Sequence, residues 1–224
     1  MEKIKKSDFD GIFSIGKKIA TKNLIPGKKV YGEELIKKEK TEYRIWDYFR
    51  SKPAAAIKRG IKNFPIKKGY KILYLGIASG TTASHFSDII GADGIIYGID
   101  IAERVLKDLI RVAETRGNIV PILSDARIPE KYANNVLEKV DLVYADVADP
   151  EEVELFIRNC KMFLKENGYG MIAIKSQSID VTKDPRVIYE ESKLKMEKEN
   201  FKILDFVTLD PYDKAHGFFV VQIK

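Results

Sequence analysis

Cysteine and histidine are scarce in this chain of 224 residues, which contains one cysteine and two histidines. A single cysteine excludes an intrachain disulfide and a cysteine-rich metal site, so we assign no metal ligands. The cysteine itself, Cys160, has apolar neighbours at helical spacing. That spacing predicts a position in the core.

Long apolar runs are also missing from the sequence. No stretch approaches the length of a membrane span, and the N-terminal segment MEKIKKSDFD lacks the apolar centre of a signal peptide. We therefore expect a soluble cytoplasmic protein without membrane contacts. With 224 residues, of which 45% are hydrophobic, the chain is long and apolar enough to bury one hydrophobic core.

Positive and negative charges are unevenly distributed along the chain. Residues 1–71 carry 20 Lys and Arg against 8 Asp and Glu, whereas residues 72–224 carry 19 against 25. A basic segment suits a polyanionic partner such as RNA. The same composition is typical of the Lys- and Glu-rich solvated surfaces of thermophile proteins, and charge alone does not separate the two interpretations.

A turn of small residues follows a strongly apolar run. The run Lys71–Leu75 leads into GIASG (residues 76–80), and Asp100 closes the next apolar run, about twenty residues later. This order is typical of the nucleoside site of a doubly wound α/β domain, where an acid accepts hydrogen bonds from ribose hydroxyls. We expect the two glycines to let the backbone approach a ligand.

The third glycine of a dinucleotide-binding turn is absent. The pattern G-x-G-x-x-G places a pyrophosphate on a helix N-terminus, whereas this turn has only Gly76 and Gly80. Such a turn better suits an adenosine cofactor without phosphates, of which S-adenosylmethionine is the common one. Alternatively, the glycines merely pack a strand-to-helix turn.

Short apolar runs separated by glycines precede this region. They predict strands and turns of a small β unit: Ile12–Phe13, Ile19–Ala20, Leu24–Ile25 and Val30–Tyr31. From Pro53 onward the apolar residues follow a helical period. We place the boundary near residues 45–52, and predict a small N-terminal β domain over residues 1–50 and a second, larger domain over residues 51–224.

Strands and helices are predicted to alternate in the second domain. The strands are Ile72–Leu75, Ile95–Ile99, Ile119–Leu123, Leu142–Ala145, Gly170–Ile174, Phe201–Thr208 and Gly217–Ile223. Helices are expected between the first five strands and again before the sixth. Asp149-Pro150 predicts one helix start, and Gly168 the turn out of that helix.

The last two strands leave no room for a helix between them, so they should pair antiparallel. These elements predict an α/β fold with a seven-stranded, mostly parallel sheet and an antiparallel terminal strand. That is the Rossmann-like arrangement of S-adenosylmethionine-dependent methyltransferases.

Four polar residues are predicted to meet at one edge of this sheet. Asp146 and Lys175 each follow an apolar strand, at the carboxyl ends where open α/β sheets bind ligands. His216 precedes the final strand, and Lys52 opens the first helix. Taken singly, each is typical of a solvated charge. His85, in contrast, is expected to pack or cap within the helix after the glycine turn.

Several blocks of the sequence resemble the fibrillarin family of RNA 2′-O-methyltransferases, which act in C/D-box guide ribonucleoproteins. The blocks are Tyr43–Ile57 (YRIWDYFRSKPAAAI), Ile72–Gly91 (ILYLGIASGTTASHFSDIIG), Val120–Arg127, Val143–Pro150 (VYADVADP), Ile172–Asp180 (IAIKSQSID), Asp210–Lys224 (DPYDKAHGFFVVQIK) and Asn23–Glu33. The similarity covers nearly the whole chain. The Gly- and Arg-rich tail of eukaryotic fibrillarins is missing, so the chain resembles the short archaeal form.

The resemblance implies roles for particular residues. The catalytic set would be Lys52, Asp146, Lys175 and His216. Together with Gly80 of the turn, the residues implied to bind S-adenosylmethionine are Gly76, Ala78, Thr81, Thr82, Asp100, Ile101, Asp125 and Ala126.

The chain departs from the family pattern at two places. Fibrillarins usually have Glu-Phe where this chain has Asp100-Ile101, which keeps a carboxylate. They usually have Ala-Gln-Pro where it has Ala148-Asp149-Pro150, so a cofactor contact by Asp149 stays open.

A ribose 2′-hydroxyl is a poor nucleophile at neutral pH, so methyl transfer requires that it be oriented and its developing charge stabilised. We expect Lys175 to contact the 2′-oxygen, and Asp146 to hold Lys175 and accept or relay the proton. Lys52 and His216 would fix the ribose and the adjacent phosphate. The resemblance also implies partners: a C/D-box guide RNA with target rRNA or tRNA, a Nop-family scaffold protein and a kink-turn-binding protein of ribosomal type.

Three other functions are less well supported by the sequence. A nicotinamide-dependent dehydrogenase is disfavoured by the missing third glycine. A stand-alone RNA methyltransferase of the heat-shock type, with Lys-Asp-Lys-Glu, is disfavoured because His216 occupies the fourth place. A non-catalytic RNA-binding subunit would tolerate loss of the catalytic set, yet all four residues are present.

Overall fold

The computed structural model describes residues 3–224 of the chain. An antiparallel five-stranded sheet forms the N-terminal part of the protein. Its strands are β1 (Ile4–Lys6), β2 (Ile12–Ile15), β3 (Lys18–Lys22), β4 (Leu35–Lys38) and β5 (Thr41–Trp46). Their order across the sheet is β1-β2-β3-β5-β4. Gly16, in the two-residue turn between β2 and β3, has a φ of 58°, the left-handed conformation that a tight hairpin needs.

A seven-stranded sheet forms the larger part of the protein. Its strands are β6 (Lys71–Leu75), β7 (Ile95–Asp100), β8 (Ile119–Leu123), β9 (Val140–Ala145), β10 (Leu164–Lys175), β11 (Phe201–Thr208) and β12 (His216–Ile223). Their order is β11-β12-β10-β9-β6-β7-β8. Strand β12 pairs antiparallel with both neighbours, and the other four pairings are parallel. The predicted mostly parallel sheet with an antiparallel terminal strand is confirmed.

Helices cover both faces of this sheet. They are α1 (Lys52–Lys58), α2 (Thr81–Ile90), α3 (Glu103–Arg116), α4 (Glu152–Phe163), α5 (Ser176–Ile179) and α6 (Pro185–Lys198). Successive residues of a strand point to opposite faces, so Tyr74 packs with Phe86 of α2, whereas Leu73 lies in a second core that includes Phe156 of α4. Cys160 of α4 is fully buried in the second of these cores, as predicted. No helix within residues 3–224 is long and apolar enough to cross a bilayer.

Two of the predicted N-terminal strands are wrong. Leu24–Ile25 and Val30–Tyr31 lie in the loop between β3 and β4. The amides of Val30 and Tyr31 donate to the carboxylate of Glu33 at 2.8 to 3.1 Å, and the Leu24 amide donates to Asp88 Oδ1 at 2.9 Å. Amides that are bonded to side chains in this way cannot join a sheet ladder.

The helix predicted between β8 and β9 is also wrong. That segment forms two short 3₁₀ turns, Pro129–Lys131 and Ala133–Asn135. Asparagine side chains compete with helical backbone bonds, which weakens a helix here. Tyr132 is buried between the turns, and its hydroxyl donates to Asn159 of α4, which fixes the segment in this form.

The boundaries of α4 and β10 differ from those predicted. Helix α4 begins at Glu152, because the Asp149 carboxylate accepts the backbone N–H of Glu151 at 2.8 Å and forms a turn before the helix. Gly168 lies inside β10, beside Asn167, whose φ is 57°. The pairing of β10 with β9 shifts register at this point, so the glycine belongs to an irregularity in the strand and not to the end of the helix.

A buried cluster of charged residues joins the two sheets. Arg44 of β5 donates from Nε to Glu33 Oε1 at 2.6 Å and from Nη1 to Asp88 Oδ2 at 2.8 Å. Asp88 lies on α2 and also pairs with Arg116 of α3. All four side chains are 1% exposed or less, so their mutual pairing offsets the cost of burying charge. The division into domains of residues 1–50 and 51–224 stays a prediction.

His85 lies on α2 beside this cluster and is fully buried. Its Nδ1 is 2.8 Å from Thr21 Oγ1, and its Nε2 is 2.7 Å from the Tyr31 hydroxyl. Because Thr21 donates its hydroxyl proton to Asp88, Nδ1 of the histidine carries a proton and donates to Thr21. Burial, aided by the charge of Arg44, holds the pKa of His85 well below its usual value. The predicted packing role is confirmed.

Replacement of Asp88 tests how strongly the cluster supports the fold. Asp88→Ala leaves two guanidinium groups buried without their shared carboxylate, and should lower the free energy of unfolding by about 3–5 kcal/mol. Urea denaturation followed by circular dichroism measures the change. The matched control is Asp93, whose side chain is 72% exposed, and Asp93→Ala should cost less than about 1 kcal/mol. Equal losses in the two variants would contradict this role.

Candidate active site

The glycine turn between β6 and α2 is held by Asp100 at the end of β7. Asp100 Oδ2 accepts the backbone N–H of Ala78 at 2.9 Å, and Oδ1 accepts that of Ala102 at 2.9 Å. The amide of Gly76 donates to the carbonyl of Ile99 at 2.9 Å. The predicted ribose acid and the predicted turn therefore form one structural unit.

Packing within the protein explains both glycines of the turn. Gly76 and Gly80 have φ values of 76° and 89°, which favour glycine. A Cβ at Gly76 would lie 2.4 Å from the backbone oxygen of Asp146, and one at Gly80 would lie 2.7 Å from Leu109 Cδ1. The space that we expected a ligand to fill is thus occupied by the protein itself.

A cavity of about 360 Å³ opens beside the turn, at the carboxyl ends of β6, β7 and β9. It is lined by most of the residues predicted to bind the cofactor: Gly76, Ala78, Asp100, Ile101, Asp125 and Ala126. Asp149, whose role the sequence left open, also lines the cavity.

Gly80, Thr81 and Thr82 lie outside the lining of this cavity. Thr82 is buried, and its hydroxyl donates to Ser51 Oγ at 2.9 Å, which ties the start of α2 to the residue before α1. Thr81 lines a neighbouring cavity that includes Arg50. A direct contact of these three residues with a cofactor stays a prediction.

The cavity is strongly acidic. Four carboxylates line it, from Asp100, Asp125, Asp146 and Asp149, against the single guanidinium of Arg127. Arg127 donates to Asp125 at 2.8 and 3.0 Å and lies 3.9 Å from Asp149. Its hydrogen bonds hold the pKa of Asp125 below the usual value, so that carboxyl stays ionised. Such a cavity favours a cationic ligand and disfavours phosphates.

The four predicted catalytic residues lie at the same edge of the seven-stranded sheet. Asp146 follows β9, Lys175 ends β10, and His216 begins β12. Lys175 and His216 are direct partners in the antiparallel register. Lys52 is the first residue of α1 and reaches this edge from the N-terminal side of the chain.

Lys52 and Asp146 form an ion pair, with Nζ 2.7 Å from Oδ1. The Tyr144 hydroxyl donates to Asp146 Oδ2 at 3.3 Å. Burial lowers the pKa of Lys52, but the carboxylates of Asp146 and Asp213 outweigh it and leave the pKa above its usual value. We expected Asp146 to hold Lys175, and the structure pairs it with Lys52 instead.

Asp213 connects His216 to this ion pair. Its Oδ1 lies 3.0 Å from His216 Nδ1, and its Oδ2 lies 3.8 Å from Lys52 Nζ. The carbonyl oxygen of Lys214 also lies 2.8 Å from His216 Nδ1. Because a carbonyl can only accept, the proton of the neutral ring is on Nδ1, and Nε2 is the acceptor atom.

The ammonium group of Lys175 makes no hydrogen bond or ion pair with residues 3–224, whereas its backbone is firmly held. The backbone N–H of Lys175 donates to Glu152 Oε1 at 2.9 Å. Glu152 is fully buried, and in the described part of the chain its Oε2 has no partner. Burial raises the pKa of Glu152 to about 9, with Asp146 and Asp149 adding to the effect, so this carboxyl is neutral at pH 7.

Sequence reasoning missed Asp213 and Glu152. Asp213 precedes His216 by three residues, a spacing that could have suggested a contact within one turn. Glu152 follows Asp149-Pro150-Glu151 and looks like an ordinary acid at a helix start, so nothing in the sequence signals its burial. Over residues 3–224, no group of three or more His, Cys, Asp or Glu side chains is arranged to hold a metal ion.

Comparison with known proteins agrees with this geometry. The family model "Fibrillarin" matches residues 4–224. A fibrillarin-like rRNA/tRNA 2′-O-methyltransferase of Pyrococcus furiosus is 51% identical over 227 residues, covering 99% of each chain. The structure of Aeropyrum pernix fibrillarin in complex with natively bound S-adenosyl-L-methionine is 46% identical, with a TM-score of 0.88 over 99% of this chain and 100% of that one.

A chain of the solved fibrillarin/Nop5p complex is 35% identical, with a TM-score of 0.88 over 98% of this chain and 100% of that one. The family match extends over both sheets and includes every residue of the candidate site. This chain therefore belongs to the fibrillarin family.

Proposed function

We propose that this chain methylates the ribose 2′-hydroxyl of rRNA and tRNA with S-adenosylmethionine, as the catalytic subunit of a C/D-box guide ribonucleoprotein. The proposal rests on one observation: the acidic cavity beside the glycine turn lies at the same sheet edge as the Lys52–Asp146 ion pair and the unpaired ammonium of Lys175. The relative from Pyrococcus furiosus is named for this activity, and half of its residues are identical to those of this chain.

S-adenosylmethionine is the cofactor that the cavity fits. Asp100 lies at the strand end where an acid accepts hydrogen bonds from ribose hydroxyls. The surplus of carboxylates suits a ligand that carries sulfonium and ammonium charges, and it opposes the pyrophosphate of a dinucleotide. When bound, the cofactor supplies an electrophilic methyl group. The Aeropyrum pernix relative was solved with this molecule.

The residues at the sheet edge would have different roles in the reaction of the ribose hydroxyl. The unpaired ammonium of Lys175 donates to the 2′-oxygen and stabilises the negative charge that develops there. The Asp146 carboxylate accepts the hydroxyl hydrogen bond and takes its proton, while its ion pair with Lys52 fixes its position. His216 Nε2, as an acceptor, would take a hydrogen bond from a hydroxyl of the ribose.

In this proposal, the guide RNA and the partner proteins select the nucleotide that is methylated. The sequence contains none of the aromatic motifs of common RNA-binding domains, so base pairing to a guide RNA would choose the nucleotide. The solved complex of a relative with Nop5p supports a Nop-family scaffold, and a kink-turn-binding protein would complete the particle. The excess of Lys and Arg in residues 1–71 would lie near RNA or the scaffold, with affinity that falls as salt rises.

Cofactor binding is the first test. Calorimetry should detect S-adenosylmethionine binding to the isolated chain. Asp100→Ala should weaken it about 30-fold or more, because hydrogen bonds to a carboxylate and the support of the Ala78 amide are lost together. Glu103→Ala, at a 70% exposed side chain of α3, is the control and should bind normally. Normal binding by the Asp100 variant would exclude this site.

Methyl transfer is the second test, measured with labelled cofactor and a target RNA. The chain assembled with guide RNA, scaffold and kink-turn protein should methylate the guided nucleotide, and the isolated chain should not. In the complex, Asp146→Asn and Lys175→Met should slow transfer about a hundred- to a thousandfold with cofactor affinity nearly unchanged.

Lys183→Met is the matched control for the lysine variant, because Lys183 pairs with Glu191 on the surface. It should transfer methyl groups at the wild-type rate. Guide-independent methylation of the same nucleotide by the isolated chain would refute the proposed division of labour. Retention of most activity by the Asp146 and Lys175 variants would refute their assignment.

The neutral state of Glu152 predicts a pH dependence of stability. The pKa of Glu152 is about 9 in the folded protein against an ordinary value of 4.5 for a glutamate, so wild-type stability is lost as pH rises between these values. Glu152→Gln has no group to ionise there. The stability advantage of this variant over wild type should therefore be smallest near pH 5 and grow towards pH 9, as measured by thermal unfolding.

Glu154→Gln is the control for this comparison, because Glu154 is a partly exposed residue that pairs with Lys195. Its stability relative to wild type should show no such rise between pH 5 and pH 9. A Glu152→Gln difference that is constant over this range would mean that Glu152 is ionised at neutral pH.

A further inference from the structure

A cluster of three aromatic rings lies beside the catalytic edge and takes no part in the functions described above. The ring of Phe49 lies 5.2 Å from that of Tyr48 and 5.3 Å from that of Tyr212, and the two tyrosine rings are 4.8 Å apart. Phe49 is 66% exposed. A large apolar ring that rests on two others and faces water is available to bind a further planar group.

The backbone beneath Phe49 is fixed by local hydrogen bonds. Asp47 Oδ1 accepts the Phe49 amide at 2.8 Å, and the Asp47 carbonyl accepts the Arg50 amide at 3.2 Å. The Tyr212 amide donates to the carbonyl of Leu209 at 2.9 Å. The exposed ring is therefore preorganised, and a partner would bind it at little cost in chain ordering.

The cluster is continuous with the catalytic residues. Phe49 precedes Lys52 by three residues. Tyr212 is followed directly by Asp213, whose carboxylate contacts both Lys52 and His216. A strand of RNA that brings one ribose to these side chains must pass close to the aromatic rings with its neighbouring nucleotides.

Two positive charges lie near the rings, one on Lys58 and one on Arg50, which follows Phe49 in the chain. Arg50 lies over the ring of Tyr31 at 5.2 Å from its centroid, and Lys58 Nζ lies 5.5 Å from the centroid of Tyr48. Aromatic rings among cations are typical of grooves that bind single-stranded nucleic acid, where bases stack and phosphates pair with the cations. An apolar protein partner would have to bury these charges, so charge complementarity favours RNA.

We propose that Phe49 is a stacking platform for a nucleobase next to the methylated nucleotide of the target RNA. The proposal rests on the proposed RNA 2′-O-methyltransferase function and adds a residue that binds substrate without touching the reacting atoms. Stacking of this kind tolerates any base, because every base has an aromatic face. It would hold the guided strand in place while leaving sequence selection to base pairing.

The test uses the assembled complex and a set of Phe49 variants. Phe49→Ala should raise the KM for target RNA about tenfold with kcat changed little, and Phe49→Trp should restore the wild-type KM. Affinity for S-adenosylmethionine should be the same in all variants. Leu137→Ala, at an apolar residue that is 79% exposed, is the matched control and should leave KM unchanged.

A fluorescent base locates the contact. With 2-aminopurine placed beside the target nucleotide, fluorescence should be quenched by the wild-type complex and by Phe49→Trp, and recover in Phe49→Ala. An unchanged KM in Phe49→Ala would overturn the proposal, as would loss of assembly with the scaffold protein in that variant, which would assign the ring to a protein interface. A wild-type complex that transfers no methyl group refutes the proposed function itself, a result that the variants cannot imitate.

Discussion

The ion pair between Lys52 and Asp146 is the interaction on which the arrangement of the site depends. It joins the start of α1, which follows the N-terminal sheet, to the end of β9 in the middle of the second sheet. The backbone oxygen of Asp146 lies 2.4 Å from the position that a Cβ at Gly76 would take, so the glycine turn and the residue that carries this carboxylate pack against each other. Any side chain at that glycine would displace both. The candidate cofactor cavity and the sheet edge that carries Asp146 are thus one packed unit.

The N-terminal sheet contributes to the site by fixing the orientation of helix α2. Arg44 of β5 is buried against Asp88 of α2, and Thr82 of the same helix donates to Ser51, directly before Lys52. A buried charge cluster is costly to rearrange once it is satisfied, so it fixes how the small sheet meets α2. The lysine is consequently placed by contacts that lie far from the chemistry.

Regular features of the fold could be predicted from sequence, and individual contacts could not. Parallel strands end at one edge, so apolar runs followed by Asp146 and Lys175 were enough to bring those residues together. The prediction that Asp146 holds Lys175 was wrong, because the choice between Lys175 and Lys52 as its partner depends on side-chain geometry. Glu33 binds the amides of Val30 and Tyr31 in a loop and thereby removes one predicted strand, and Asp88 removes the other by accepting the Leu24 amide. The burial of Glu152 comes from packing of α4 against β10. These are contacts that neither hydrophobic period nor residue type encodes.

The central claim is that the residues at this edge act on a ribose hydroxyl. The most direct measurement uses two guided target RNAs that differ only at one nucleotide, which carries either a 2′-hydroxyl or a 2′-hydrogen. Both RNAs should bind the assembled complex, and single-turnover transfer from labelled S-adenosylmethionine is followed for each. The account predicts stoichiometric labelling of the hydroxyl RNA and none of the 2′-deoxy RNA. Equal labelling of the two RNAs would place the methyl group elsewhere and contradict the account.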